Sequence, residues 1–174
     1  MTATTNQDSV VCEIDIAAPP ERVFQALLDQ KQLTVWWGAE PSIDLIAFDM
    51  DGRKGGKYRY ACQAKAGADM GAVGEVLERN QAKQFECRGE VLEFDPPRLL
   101  VWSWIANWHE HPDHATTVRW ELSPTPSGTR VRVTHSGLSH EPISRKDYGQ
   151  GWVGVLVLLQ NFLGGSNPTD IIVP

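Results

Sequence analysis

The stretch LIAFDMDGRKGGKYRY, Leu45 to Tyr60, holds the most pointed chemical suggestion in the chain. An apolar strand ending in Asp-x-Asp-Gly is how one class of phosphatases presents a nucleophilic carboxylate, here Asp49, beside an acid, here Asp51. That chemistry needs the pair at the carboxyl end of the first strand of a parallel, doubly wound sheet, with later strand–helix units supplying phosphate and metal ligands. Nothing downstream alternates in that way, Arg53 follows the glycine, and the later acidic segment FDPP reads as a turn. A calcium loop fails as well: counted from Asp49, Lys54 falls where the sharp turn needs glycine and Tyr60 where a bidentate carboxylate is required. RKGGK is then a glycine turn rather than a phosphate cradle, because no helix follows it.

Two further sites carry reactive side chains. WHEHPDH, Trp108 to His114, brings three imidazoles and two carboxylates together, and His109 and His111 are spaced to share a metal. Placed between two strands, with Pro112 and Asp113 as turn residues, it reads as a solvated hairpin loop, and no metal or cofactor is expected. His135, on a strand, reads as a hydrogen-bonded strand residue and not as a catalytic base.

Composition narrows the classes. A chain of 174 residues fits one domain with a sizeable core. Its formal charge of −6 repels phosphate backbones and anionic headgroups, so neither nucleic acid nor a membrane is an expected partner. The opening MTATTNQDSV has no basic residue and no apolar run, so residues 1–9 read as a disordered lead and the cytoplasm as the compartment. Cys12, Cys62 and Cys87 lie far apart without Cys-x-x-Cys spacing and read as reduced strand residues.

The elements that must position any site follow from periodicity. VVCEIDI alternates as a half-buried strand, Pro20 opens the amphipathic helix ERVFQALLD, QKQLTVWWG gives a second helical turn ending at Gly38, and SIDLIAFD returns to strand. GGKYRYACQ, GAVGEVLERN, QFECRGEVLEFD, RLLVWSWIAN, ATTVRWELSP and TRVRVTHSG read as an antiparallel series, GEVLERN and GEVLEFD being two strands built alike. WVGVLVLLQNFL, Trp152 to Leu163, is a helix too short to span a bilayer, closed by Gly164 and Gly165. Residues 10–165 form the domain, and 166–174 a tail.

In this order APPERVFQAL, LTVWWG, RKGGKYRY, GEVLEFDPPRLLVWSW, GTRVRVTHSGL and the final GW…L helix resemble the family of activator-of-heat-shock-protein-ninety-ATPase homologues, within the START-like helix-grip superfamily. The long segment AKAGADMGAVGEVLERNQAKQF and the HEHPDH loop depart from that pattern. The resemblance implies an α+β fold: a curved antiparallel sheet of about six or seven strands wrapped around a long C-terminal helix, with two short helices after the first strand. It also implies a cavity between sheet and helix.

Strand alternation sends Tyr58 and Tyr60 to one face, Trp102 and Trp104 to one face, Trp120 with Val118 and Leu122 to another, and His135 with Val131 and Val133 opposite Arg130 and Arg132. Trp36, Trp37 and Trp152 come from the elements forming rim and roof. At ~24 cal/mol per Å³, an empty space of roughly 300 Å³ would cost about 7 kcal/mol, comparable with a whole domain's stability of ~5–15 kcal/mol. The seven tryptophans therefore either fill the space or share it with a ligand. The leading expectation is a monomeric or homodimeric protein binding a small apolar or aromatic molecule, lined by Trp36, Trp37, Tyr58, Tyr60, Trp102, Trp104, Trp120, His135 and Trp152. A chaperone partner, or a polyketide cyclase/dehydratase-like enzyme using His135 or a tyrosine as its acid–base group, are the alternatives.

Overall fold

Alternating apolar residues, tight turns and one glycine-rich helix assemble, in the computed structural model, into a sheet that holds a helix; the structure describes residues 2–164. The strands are β1 (Thr2–Thr5), β2 (Ser9–Ile16), β3 (Ile43–Met50), β4 (Lys57–Ala64), β5 (Phe85–Asp95), β6 (Leu99–Ala106), β7 (Ala115–Thr125) and β8 (Gly128–Ser136). The helices are α1 (Pro20–Leu28), α2 (Gln30–Trp36), α3 (Gly71–Arg79) and α4 (Pro142–Gly164), with one 3-10 turn, Trp37–Ala39. All eight strands form one antiparallel sheet in the order β1-β2-β8-β7-β6-β5-β4-β3. Register shifts at Leu45/Ala47 and Val91/Glu93 are the irregularities that let such a sheet bend, and its concave face receives α4.

The expected alternation is present residue by residue. Tyr58, Tyr60, Trp102, Trp104, Val118, Trp120, Leu122, Val131, Val133 and His135 are buried, while Lys57, Arg59, Arg130 and Arg132 are exposed. Asp29 separates the two short helices: it ends α1, and its Oδ1 accepts from Lys31 N and Gln32 N at 2.9 and 3.3 Å to start α2. Asp49 lies on the edge strand β3 of this antiparallel sheet, where a phosphatase nucleophile has no place.

Four expectations are corrected. Within the lead expected to be disordered, residues 1–9, Thr2–Thr5 instead pairs with β2, and this strand takes the count past the expected six or seven. Asn6 makes the hairpin, its Oδ1 accepting from Asp8 N and Ser9 N at 2.8 Å. GAVGEVLERN is not a strand but α3: it buries Val73, Val76 and Leu77 at the i, i+3, i+4 spacing, and Asp69 Oδ1 accepts from Gly71 N at 2.8 Å as the helix begins. The C-terminal helix begins at Pro142, ten residues before Trp152, since Glu110 reaches across to accept from Ile143 N at 2.5 Å and from Ser144 Oγ at 3.1 Å. The fourth, the loop after β6, belongs to the site below. Gly165 and the tail, residues 166–174, lie outside the described residues.

Gly89 marks where the sheet is packed most closely. The Tyr58 ring on β4 crosses over it, and a Cβ at this position would meet Ser103 O at 1.9 Å and Tyr58 Cε1 at 2.6 Å. Tyr58 OH completes the crossing by donating to Ser103 O on β6 at 2.8 Å. Gly89→Ala is accordingly expected to cost about 2–3 kcal/mol through overpacking, read as a lowered urea midpoint; a midpoint equal to that of the parent would contradict this packing.

Candidate functional site

Alternation can only bring side chains to the concave face; what they meet there is set by α4, α3 and the Trp37–Ser42 segment. Between these elements and β4 to β6 lies a cleft of about 550 Å³. Trp37 and Glu40 line it from the 3-10 turn and the segment after it, Tyr60 and Cys62 from β4, Phe85 and Trp104 from β5 and β6, and Trp108 from the following loop. Gly71 and Val73 enter from α3. On α4 the lining includes Asp147, Tyr148, Gly151, Trp152 and Gly154, with Gly151 and Gly154 leaving open space where any Cβ would stand.

The aromatic walls brace one another. Trp37 stacks on Trp104 with centroids 6.5 Å apart and an interplanar angle of 22°, and meets Trp152 edge-on at 6.1 Å and 77°. Trp104 and Trp152 are 5.7 Å apart. Of the nine side chains expected to line a pocket, Trp37, Tyr60, Trp104 and Trp152 border the cleft. Trp36, Tyr58, Trp102, Trp120 and His135 stand behind it. Trp36 Nε1 donates to Ala26 O at 2.9 Å and ties α2 to α1. Trp102 packs edge-on against Trp120 at 6.0 Å, and the indole nitrogens of both are buried without a hydrogen-bond partner among the described residues.

His135 holds the wall in place. Trp152 Nε1 can only donate, and it donates to His135 Nδ1 at 3.1 Å. The proton of the neutral ring therefore sits on Nε2, which donates to Thr116 Oγ1 at 2.7 Å, while that hydroxyl donates to Trp104 O at 3.0 Å. Both ring nitrogens are used. Burial, and then the nearby His109, push the pKa of His135 well below the ordinary 6.5. A ring so engaged has neither a free lone pair nor a free proton for acid–base catalysis.

A second polar chain runs through Tyr148, whose OH accepts from Trp104 Nε1 at 2.9 Å and lies 2.8 Å from His109 Nε2. His109 corrects the reading of WHEHPDH as a solvated loop: it is fully buried, Trp108 before it is buried as well, and Asn80 Nδ2, at the C-terminal end of α3, donates to the carbonyls of Asn107 and His109 at 2.8 and 2.9 Å. The segment is a hairpin connection between the paired strands β6 and β7, with His111, Pro112 and Asp113 exposed as expected, but its first residues pack inward as a strap. Glu141, also fully buried, accepts at Oε1 from His114 Nδ1 at 3.0 Å and His111 Nδ1 at 3.2 Å. Burial, then the adjoining Glu110 carboxyl, raises its pKa. Sequence reasoning missed Tyr148, Trp108, Phe85 and Asp147 as lining residues. The signal for Tyr148 was its place one helical turn before Trp152, available only once α4 is known to begin at Pro142. No group of three or more metal-ligating side chains is found among the described residues.

A curved antiparallel sheet gripping a C-terminal helix beside an aromatic cleft defines a START-like helix-grip protein. The chain belongs to the family described as Activator of Hsp90 ATPase homolog 1-like protein, whose sequence profile matches residues 17–164. Among solved structures it is similar to protein CV1439 from Chromobacterium violaceum, 20% identical with TM-score 0.72, over 91% of this chain and 99% of that one. Protein Ms6760 from Mycobacterium smegmatis is 16% identical with TM-score 0.72, over 96% and 98%. The AHSA1-like protein from Aeromonas hydrophila is 21% identical with TM-score 0.62, over 88% and 90%. No curated protein matches the chain. At these identities the likeness carries the fold. Among the described residues no helix is long and apolar enough to cross a membrane.

The buried imidazoles give the fold a defined response to acid. Burial chiefly lowers the pKa of His109 from 6.5 to about 4, only partly offset by the His114 backbone. The unfolded chain therefore takes up a proton that the folded one refuses between these values, and stability present above pH 6.5 is lost as the pH falls toward 4. The loss attributable to His109 is on the order of 3 kcal/mol. His109→Gln should flatten the slope of unfolding free energy against pH across this window, measured by urea titration; a slope equal to that of the parent would contradict the buried, neutral ring.

Proposed function

We propose that this protein binds a small apolar or aromatic molecule in the cleft between α3, α4 and the sheet. Trp37, Tyr60, Trp104 and Trp152 supply the contact faces, and Trp36, Tyr58, Trp102, Trp120 and His135 hold those faces in position. One observation carries the reading: α4 keeps glycines at 151 and 154, where an added Cβ would meet nothing within 4 Å, on the side that borders the cleft. Each glycine in a helix interior costs about 1 kcal/mol relative to alanine. Both positions are exposed at the cleft mouth, where alanine would stabilise the helix, and the glycines keep that mouth clear beside a wall of indoles. The volume of about 550 Å³ lies within the range of small-molecule sites.

A chaperone partner rests on the description of the family profile alone. The enzyme reading loses one of its two candidate acid–base groups, because His135 is committed at both nitrogens, and it then rests on a tyrosine such as Tyr60, whose hydroxyl donates to Cys62 Sγ at 3.0 Å. The cytoplasm is the proposed compartment, in keeping with three free, buried cysteines.

Gly154→Leu separates a binding cleft from an incidental gap. The substitution is expected to stabilise the fold by about 1 kcal/mol through helix propensity and to abolish the shift in melting temperature and the tryptophan quenching caused by apolar compounds. A broad library in which no compound moves either signal in the parent, or ligands that bind the Gly154→Leu variant undiminished, would overturn the proposal.

A further inference from the structure

The cleft is apolar in its depth but one-signed at its edge. Glu40, Asp69 and Asp147 all line it, whereas no lysine, arginine or histidine does. Asp69 and Asp147 are exposed and Glu40 is half-buried, so all three are reachable from solvent. Their bonding leaves acceptor capacity unused. Glu40 accepts from Ser42 N and Ser42 Oγ through Oε2 alone, at 2.8 and 2.5 Å, and Asp69 accepts from Gly71 N through Oδ1 alone, at 2.8 Å. The Asp147 carboxylate has no hydrogen bond or ion pair among the described residues, and Arg145, two residues before it, is turned away to donate to Gln7 O.

The electrostatic surroundings agree. Burial chiefly, with the negative charge of Glu40 among the lesser causes, raises the Tyr60 hydroxyl far above its usual range and the Cys62 thiol to about 11. Solvent reaches Asp147 through the cleft mouth, yet the surrounding protein crowds its carboxyl enough to raise its pKa, and no cation offsets the shift. Inward of these carboxylates lie Trp37, Trp104, Trp108 and Trp152, whose ring faces carry negative potential and attract cations within about 6 Å. Carboxylates and indole faces therefore act in the same direction, and nothing lining the cleft opposes them.

Resting on the reading of the cleft as a ligand site, we propose that its ligand is an organic cation: an apolar or aromatic body lying against the indoles, with an ammonium group directed to the carboxylates of Glu40, Asp69 and Asp147. Carboxylic acids of the same size are excluded by like charge, since no guanidinium, ammonium or imidazole in the lining would receive them.

Isothermal titration with three probes of nearly one shape, naphthylmethylammonium, naphthylmethanol and naphthoate, tests both levels. The ammonium should bind at least about tenfold more tightly than the alcohol, the sum of partly desolvated ion pairing and cation–π attraction, with naphthoate weakest. In the triple variant Glu40→Gln, Asp69→Asn, Asp147→Asn the ammonium should lose at least about threefold of that advantage, keeping only what the indole faces supply. If the alcohol binds but the ammonium binds no better, if naphthoate binds most tightly, or if the preference is undiminished in the triple variant, the cationic ligand is wrong while the cleft stands as an apolar site. If none of the three binds the parent protein, the cleft itself is not a site and both readings fall.

Discussion

Trp152 can only donate through its indole nitrogen, and the acceptor it meets is Nδ1 of His135; the rest of the interior is arranged around that contact. It fixes the tautomer of a fully buried imidazole, sends the ring proton to Thr116, and so engages the backbone of Trp104. One chain of hydrogen bonds thus runs from α4 through β8 and β7 to β6. A buried, fully satisfied polar chain is rigid, because breaking any member strands the others away from water. Tyr148 adds a parallel tie, accepting from Trp104 and meeting His109 in the strap after β6. The helix is held at a set distance from the sheet by directional bonds, where apolar contacts alone would let the two collapse together.

That stand-off explains how a cleft can persist in a domain of this size. Close-packed interiors normally leave few voids larger than a water molecule. Here the indoles nearest the open space are braced by hydrogen bonds and by edge-to-face contacts with one another, so they cannot swing inward to fill it. Glycines on α4 then widen the opening from the helix side, and α3 closes the opposite flank with Val73. The strap, clamped onto the start of α4 by Glu110 and Glu141, ties the two ends of this arrangement together.

Much of the fold was legible because period-two alternation names the inward face of a strand directly: Tyr58 with Tyr60, Trp102 with Trp104, and Val131, Val133 with His135 are all buried as the pattern requires. The site was legible only in part. Alternation states that a residue faces inward and is silent on whether the inward space holds a helix or a void, so Trp102 and Trp120, packed in solid core, looked the same as Trp104 and Trp152 beside the cleft. The beginning of α4 was hidden by Gly149 and Gly151, which weaken helical propensity, and its stabiliser, Glu110, lies more than thirty residues earlier in sequence. His109 sits beside the turn residues Pro112 and Asp113, and its burial depends on α3, which β-branched valines and two glycines made resemble a strand. Each failure is a long-range contact overriding a local preference.

Nitrogen NMR of the His135 imidazole reads the central joint most directly, because the two ring nitrogens have distinct shifts when one carries the proton and converge when both do. A neutral Nε2–H ring, with Nδ1 as acceptor, unchanged between neutral pH and about pH 5, is the result expected for a histidine held far below its ordinary pKa. An Nδ1–H tautomer, or an imidazolium already formed at that acidity, would mean that Trp152 is not anchored there and that the cleft has no fixed wall.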